Sequence, residues 1–252
     1  MTMRFMKNLS ALTILLLFIV SCQQSKTTDV ISEDKRIASS TLKLMPDAYN
    51  VGILIMDGVY NTELTAPYDI FQHTKFRKGI KPMNVFTIAP SLDVITSFEG
   101  LRMLPDFSYQ SDDVPPIDIL VVPSAEHHLD TDLENKEMID WVRQVGTDAL
   151  FVTSHCDGAF VLAKAGLLND VASTTFPSDI PKYKEMFPEL KIISDVLFVH
   201  DKKYITSAGG AKSFEAALYL CEYLYGKDVA QKLARGLVID WDLKEVPRLI
   251  IK

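Results

Sequence analysis

The sequence predicts an α/β fold: a three-layer sandwich, with a mostly parallel sheet, helices on both faces, and one strand ending in a nucleophile-elbow cysteine. Three observations point there. Short apolar, β-branched runs alternate with segments of helical period, the pattern of strands buried on both faces. The apolar run that begins at Leu150 passes straight into Cys156, Asp157, Gly158 and Ala159 and then into a helical pattern. Neither an internal repeat nor a Pro/Gly-rich linker divides residues 47–252, so one domain over residues 48–252 accounts for them.

In chain order, residues 51–56 (Val-Gly-Ile-Leu-Ile-Met) form the first strand and 63–76 the first helix. A strand over 84–89 follows, and then 94–96 and 102–104, short enough to be a hairpin inserted between main strands. Residues 117–122 and 150–154 are strands, separated by a helix over 134–145. The elbow helix occupies 158–165 and ends at Ala165-Gly166, and another helix covers 180–187. Residues 191–194 and 196–200 read as a second hairpin insertion, before a strand at 204–207 and a helix over 212–224. The terminal Val246-Pro-Arg-Leu-Ile-Ile251 is either an added strand or part of an interface.

The first 21 residues read as an address. Arg4 and Lys7 precede an apolar run from Leu9 to Val20, too short for a membrane span of about 20 residues but suited to a secretory signal. It ends in Ile19-Val20-Ser21-Cys22, which resembles a bacterial lipoprotein signal. A signal cut by the ordinary peptidase and an uncleaved anchor are the competing readings. Lipidation of Cys22 would place the protein in the cell envelope, anchored to a bacterial membrane. Residues 22–47 then form a polar, flexible tether.

Hydrophobic residues make up 48% of the chain and charged residues 23%, which excludes a largely disordered protein. Acidic residues outnumber basic ones, 33 to 26, so no nucleic-acid partner is expected. The three cysteines, at 22, 156 and 221, fit neither a disulfide framework nor a zinc motif, and no metal or cofactor is expected. A Cys156–Cys221 disulfide is not expected either, since one residue sits at a turn and the other in mid-helix.

Chemistry should lie beyond the carboxyl ends of the strands. A strand-to-helix bend at Cys156 needs small neighbours, which Gly158 and Ala159 supply, and lifts the side chain above the sheet. A thiol at a helix N-terminus is expected to have a lowered pKa. The bland alternative is a buried cysteine acting as a small hydrophobe.

Four segments in order carry a resemblance: Val51 to Phe71, Ile119-Leu-Val-Val-Pro-Ser124, the elbow with its helix to Leu168, and Ile205-Thr-Ser-Ala-Gly-Gly210. Together they resemble the ThiJ/PfpI superfamily, class I glutamine amidotransferase-like in fold, nearest its isonitrile-hydratase and AraC-regulator branch. With no segment for a helix-turn-helix after the matched region, a regulator is not expected. The resemblance implies a Cys156 nucleophile with Glu63, four residues before Pro67, as its proton partner. It also implies anion-stabilising backbone N–H groups at Asp157 and at Ser124-Ala125, where relatives commonly have glycines. Phe176 stands where many relatives carry a histidine, and Asp157 where the protease-like branch carries one. His127 is the substitute adopted here, over its neighbour His128 and over His155, whose ring should point away from the thiol. The activity implied is a cysteine-dependent hydratase, amidase or glyoxalase-like reaction on a small molecule, by a chain that self-associates as a homodimer. The missing histidine motivates the alternative, a non-catalytic ligand-binding or thiol redox-sensing domain.

Overall fold

The computed structural model describes residues 42–251. The expected signal segment, Cys22 and the expected tether up to residue 41 lie outside the described residues. Within the segment expected to be a tether, Met45 exchanges two hydrogen bonds with the Asn84 side chain, at 2.9 and 3.1 Å. Leu44 packs against core residues at the same place. A polar composition did not reveal this anchorage.

The elements run β1 (Tyr49–Leu54), α1 (Asn61–Gln72), β2 (Met83–Ala89), β3 (Ile95–Thr96), β4 (Arg102–Met103), β5 (Phe107–Ser108) and β6 (Ile119–Val122). They continue with α2 (Lys136–Asp148), β7 (Phe151–His155), α3 (Gly158–Lys164), β8 (Ala172–Ser173), α4 (Ile180–Met186) and β9 (Lys191–Ile192). The chain closes with β10 (Phe198–Asp201), β11 (Tyr204–Ser207), α5 (Ser213–Tyr225), α6 (Lys227–Gly236) and β12 (Arg248–Ile251). Eight strands form the main sheet in the order β12-β10-β11-β7-β6-β1-β2-β5, parallel except where β10 meets β11. Among the described residues no helix is long and apolar enough to cross a membrane.

Alternation along the central strands divides the core into two layers. Val51, Ile53, Ile119 and Val121 face the side covered by α1, α5 and α6, while Leu54, Leu120 and Val122 face α2, α3 and α4. The β3–β4 hairpin forms as expected, pairing Ile95 with Met103. The second expected hairpin does not. Lys191-Ile192 pairs in parallel with Ala172-Ser173, and β10 lies between β11 and β12. Residues 248–251 are therefore a strand of the main sheet, whose apolar side chains supply β10 with its outer neighbour. Helix α6, with Ala230, Leu233 and Ala234 buried at helical spacing, was not anticipated.

Candidate functional site

Strand β7 ends in a sharp bend. Cys156 has φ +51°, a left-handed conformation uncommon for a residue with a side chain. Its N–H is held by Ser207 O at 2.9 Å, so the bend is fastened to the neighbouring strand. Gly158 allows α3 to start immediately, since a Cβ there would lie 2.0 Å from Val122 O. Thr175 fixes the turn from the other side, its hydroxyl donating to Cys156 O at 2.9 Å and to Asp157 Oδ1 at 3.1 Å.

Glu63 arrives from α1, on the far side of β1, and is buried. Both carboxyl oxygens accept backbone N–H groups: Oε2 from Ser124 at 3.0 Å and Oε1 from Gly210 at 2.8 Å. The Cys156 thiol lies close enough to the same carboxyl to lower its proton affinity. Gly209 closes the contact at φ +77°, where a Cβ would fall 2.4 Å from Cys156 Cβ and 2.7 Å from Glu63 Oε1. The cysteine and the acid, 93 positions apart in the chain, thus meet in one buried cluster.

Burial raises the pKa of Glu63, against the lowering effect of its backbone donors and the thiol. The Cys156 thiol is likewise raised, by burial first and then by Glu63 and Asp157, although the Asp157 N–H and the Ser124 hydroxyl pull it down. This reverses the expectation of an acidic thiol. Helix α3 has only seven residues, and its dipole is outweighed by desolvation and two carboxyls. Asp157 is raised to about 7 by burial, with Asp179 adding like charge.

The expected oxyanion donors in the loop after β6 are committed elsewhere. Ser124 N–H is bound to Glu63. Ala125 N–H donates to His128 Nδ1 at 3.2 Å, which leaves Nε2 to carry the ring proton. His128 is buried and its pKa is lowered to about 3 by desolvation, so it is a neutral part of the loop. Asp157 N–H lies near the thiol and lowers its proton affinity.

His127 does not take the place of the missing histidine. Its half-exposed ring lies 3.2 Å from Asp130 Oδ1, and no hydrogen bond or ion pair joins it to Cys156 or Glu63 among the described residues. His155 is buried against Ser207 Oγ at 2.9 Å, with its pKa lowered to about 3 by desolvation. Phe176 follows Thr175 and is partly exposed. Both described cysteines are free, as expected.

Sequence reasoning missed Tyr60. Its ring stacks on Phe98 of the β3–β4 insertion, centroids 4.6 Å apart. Its hydroxyl pKa is raised by burial and then by Cys156, Asp157, Glu63 and Glu126, so it looks onto the acidic pocket. Residues 57–60 are laced on both sides: Gly58 N–H to Thr96 O, Phe98 N–H to Val59 O, and Tyr60 N–H to Ser124 O. An aromatic three residues before Glu63 on a strand-to-helix loop was the available signal.

Comparison with known proteins agrees with this geometry. The chain is 29% identical over 185 residues to an isonitrile hydratase from Pseudomonas putida, covering 73% of this chain and 75% of that one. It is 22% identical over 190 residues to protein dj-1beta of Drosophila melanogaster, covering 75% and 97%. The crystal structure of that DJ-1beta superposes with a TM-score of 0.64, covering 77% of this chain and all of the other at 22% identity. A shorter match, 29% over 102 residues, covers 40% of this chain and 30% of the HTH-type transcriptional regulator CdhR from Pseudomonas aeruginosa. The model of the DJ-1/PfpI family matches residues 49–223, from the first strand through the elbow to the last sheet-covering helix but one. With its sheet and more than half its length in agreement, the chain belongs to the DJ-1/PfpI family.

Proposed function

We propose that this protein is an exported, lipid-anchored hydratase that adds water to a small electrophile of the isonitrile class, with Cys156 as nucleophile and Glu63 as proton carrier. One observation carries the choice among hydratase, amidase and glyoxalase-like chemistry. The thiol and carboxyl are neighbours, while the N–H groups of Ser124 and Ala125 already have acceptors. Amide hydrolysis builds charge on a carbonyl oxygen and needs free donors there. An isonitrile does not, because its terminal carbon accepts both the nucleophile and the proton.

The Cys156 S–H proton passes to the Glu63 carboxylate as sulfur bonds to that carbon. Glu63 returns the proton to the same carbon, leaving a thioimidate in which carbon is singly bonded to sulfur and doubly bonded to nitrogen. Water adds across the carbon–nitrogen bond, the carbon–sulfur bond breaks, and the thiol is restored. The product is an N-substituted formamide, the isonitrile plus one water, and no histidine is required. Because the thiol itself is protonated at neutral pH, Glu63 must be ionised to start the cycle.

Turnover of a panel of isonitriles and simple amides by the wild type, Cys156→Ala and Glu63→Gln tests this reading. Expected is hydration of isonitriles alone, with kcat lowered at least about 10³-fold in both variants. For the wild type, kcat/KM should rise with pH through an inflection above the ordinary glutamate range, and then stay level through neutral pH. Unchanged turnover in Cys156→Ala overturns the proposal. Thiol redox sensing is the weaker reading, because the reactive form is the thiolate and this site holds the thiol protonated.

A further inference from the structure

Ser124 occupies an unusual position. Val122 pairs with Ser154 across β6 and β7, and just beyond the end of β6 the backbone of Ser124 reaches the Glu63 carboxyl that lies beside Cys156. Its backbone is pinned at both ends, the N–H by Glu63 Oε2 at 3.0 Å and the carbonyl by Tyr60 N–H at 3.1 Å. The residue is fully buried, yet its Oγ has no hydrogen-bond partner. Buried hydroxyls are normally satisfied, and one left free is costly. Proximity to the sulfur is nonetheless registered, since the hydroxyl lowers the proton affinity of Cys156.

We infer that the Ser124 hydroxyl is a further catalytic residue, a hydrogen-bond donor held ready for the sulfur at the moments when sulfur carries negative charge. This rests on the reading of Cys156 as nucleophile. A protonated thiol is a weak acceptor, so in the resting site the hydroxyl has nothing aligned to receive it. A thiolate is a strong one. The charge forms twice: when the S–H proton leaves for Glu63, and when the carbon–sulfur bond breaks and its electron pair returns to sulfur. The serine proton is never transferred; it only donates. Neither the Ser124 nor the Ala125 N–H can take this part, since both are bound to other acceptors. A side chain at position 124 therefore does work that a glycine there could not.

The test uses the full chain and no substrate. Alkylation of Cys156 by iodoacetamide is followed against pH by peptide mass spectrometry in the wild type, Ser124→Ala and Ser124→Thr, alongside thermal melts. Ser124→Ala should alkylate about tenfold more slowly near pH 8, with its rate–pH curve displaced upward, while Ser124→Thr restores the wild-type curve. Tm should hold or rise in Ser124→Ala, because the variant removes an unpaired buried hydroxyl. A wild-type alkylation curve in Ser124→Ala overturns the inference, and so does a fall in Tm that accompanies the slowing, which would mark a merely structural role. If Ser124→Ala does not fold, Ser124→Val set against Ser124→Thr asks the same question at nearly constant shape. Isonitrile turnover that survives while the Ser124 effect is absent refutes this inference alone; its loss of dependence on Cys156 refutes the reading beneath it.

Discussion

Two regions of the molecule each contain a buried free cysteine and a glycine at positive φ, and they behave differently. At the elbow, Cys156 sits at φ +51° beside Gly209 at φ +77°. In α5, Cys221 is fully buried in an apolar layer, and Gly226 at φ +85° ends the helix. Burial raises both thiols. What separates them is company. Cys221 is raised by burial alone, whereas Cys156 lies beside a carboxyl from another element, a backbone N–H and a free hydroxyl. A reactive cysteine here is distinguished less by its acidity than by a place to send its proton.

The glycines provide the sharpest way to break the comparison. A Cβ on Gly209 meets Cys156 N at 2.6 Å as well as Cys156 Cβ and Glu63 Oε1, whereas one on Gly226 meets nothing within 4 Å. Gly209→Ala should therefore cost about 2–5 kcal/mol, combining backbone strain with overpacking, and abolish turnover. Gly226→Ala, strained in its backbone alone, should cost about 1–3 kcal/mol. Denaturant melts of the two variants check this, and equal losses would mean that the elbow is not the tight point described.

Thiol labelling sharpens the contrast on a smaller scale. In the native full chain at alkaline pH, Cys156 should alkylate at least about tenfold faster than Cys221, which has no exposed surface. Peptide-resolved labelling reads this directly, and matching rates would erase the distinction.

The smallest effect is a pH slope confined to the elbow. Asp157 has a folded-state pKa of about 7 against an ordinary 3.8, so the folded protein binds the extra proton between those values. Its contribution is present at acidic pH and lost as pH rises through about 7. Asp157→Asn should flatten the decline in Tm between about pH 4 and 7, and gain up to a few kcal/mol at pH 8 relative to wild type. A slope equally steep in the variant would assign it to other groups.

Much of this was legible in the chain. Strands such as Ile119–Val122 announce themselves because both faces are buried, and Cys156 and Glu63 stand in motifs whose small residues and spacing have direct geometric reasons. The pairing of Lys191-Ile192 with Ala172-Ser173 was not legible, since two-residue strands take their register from distant partners. Nor was the fate of the Ser124 and Ala125 amides, which depends on an acceptor 61 positions away and on the ring of His128. The sign of the thiol shift was misjudged for a related reason: the helix start is visible locally, but the carboxyls and the burial that outweigh it are tertiary facts.

Helix α1, which carries Glu63, has no cap of its own. Its first N–H, on Asn61, is received at 3.0 Å by Glu99 from the hairpin loop between β3 and β4, while Phe98 beside it stacks on Tyr60. A surface appendage outside the main sheet thus sets the starting angle of the rod on which the proton carrier is mounted. Trimming or lengthening residues 97–101 would be felt first at the reaction centre and only later in the stability of the whole.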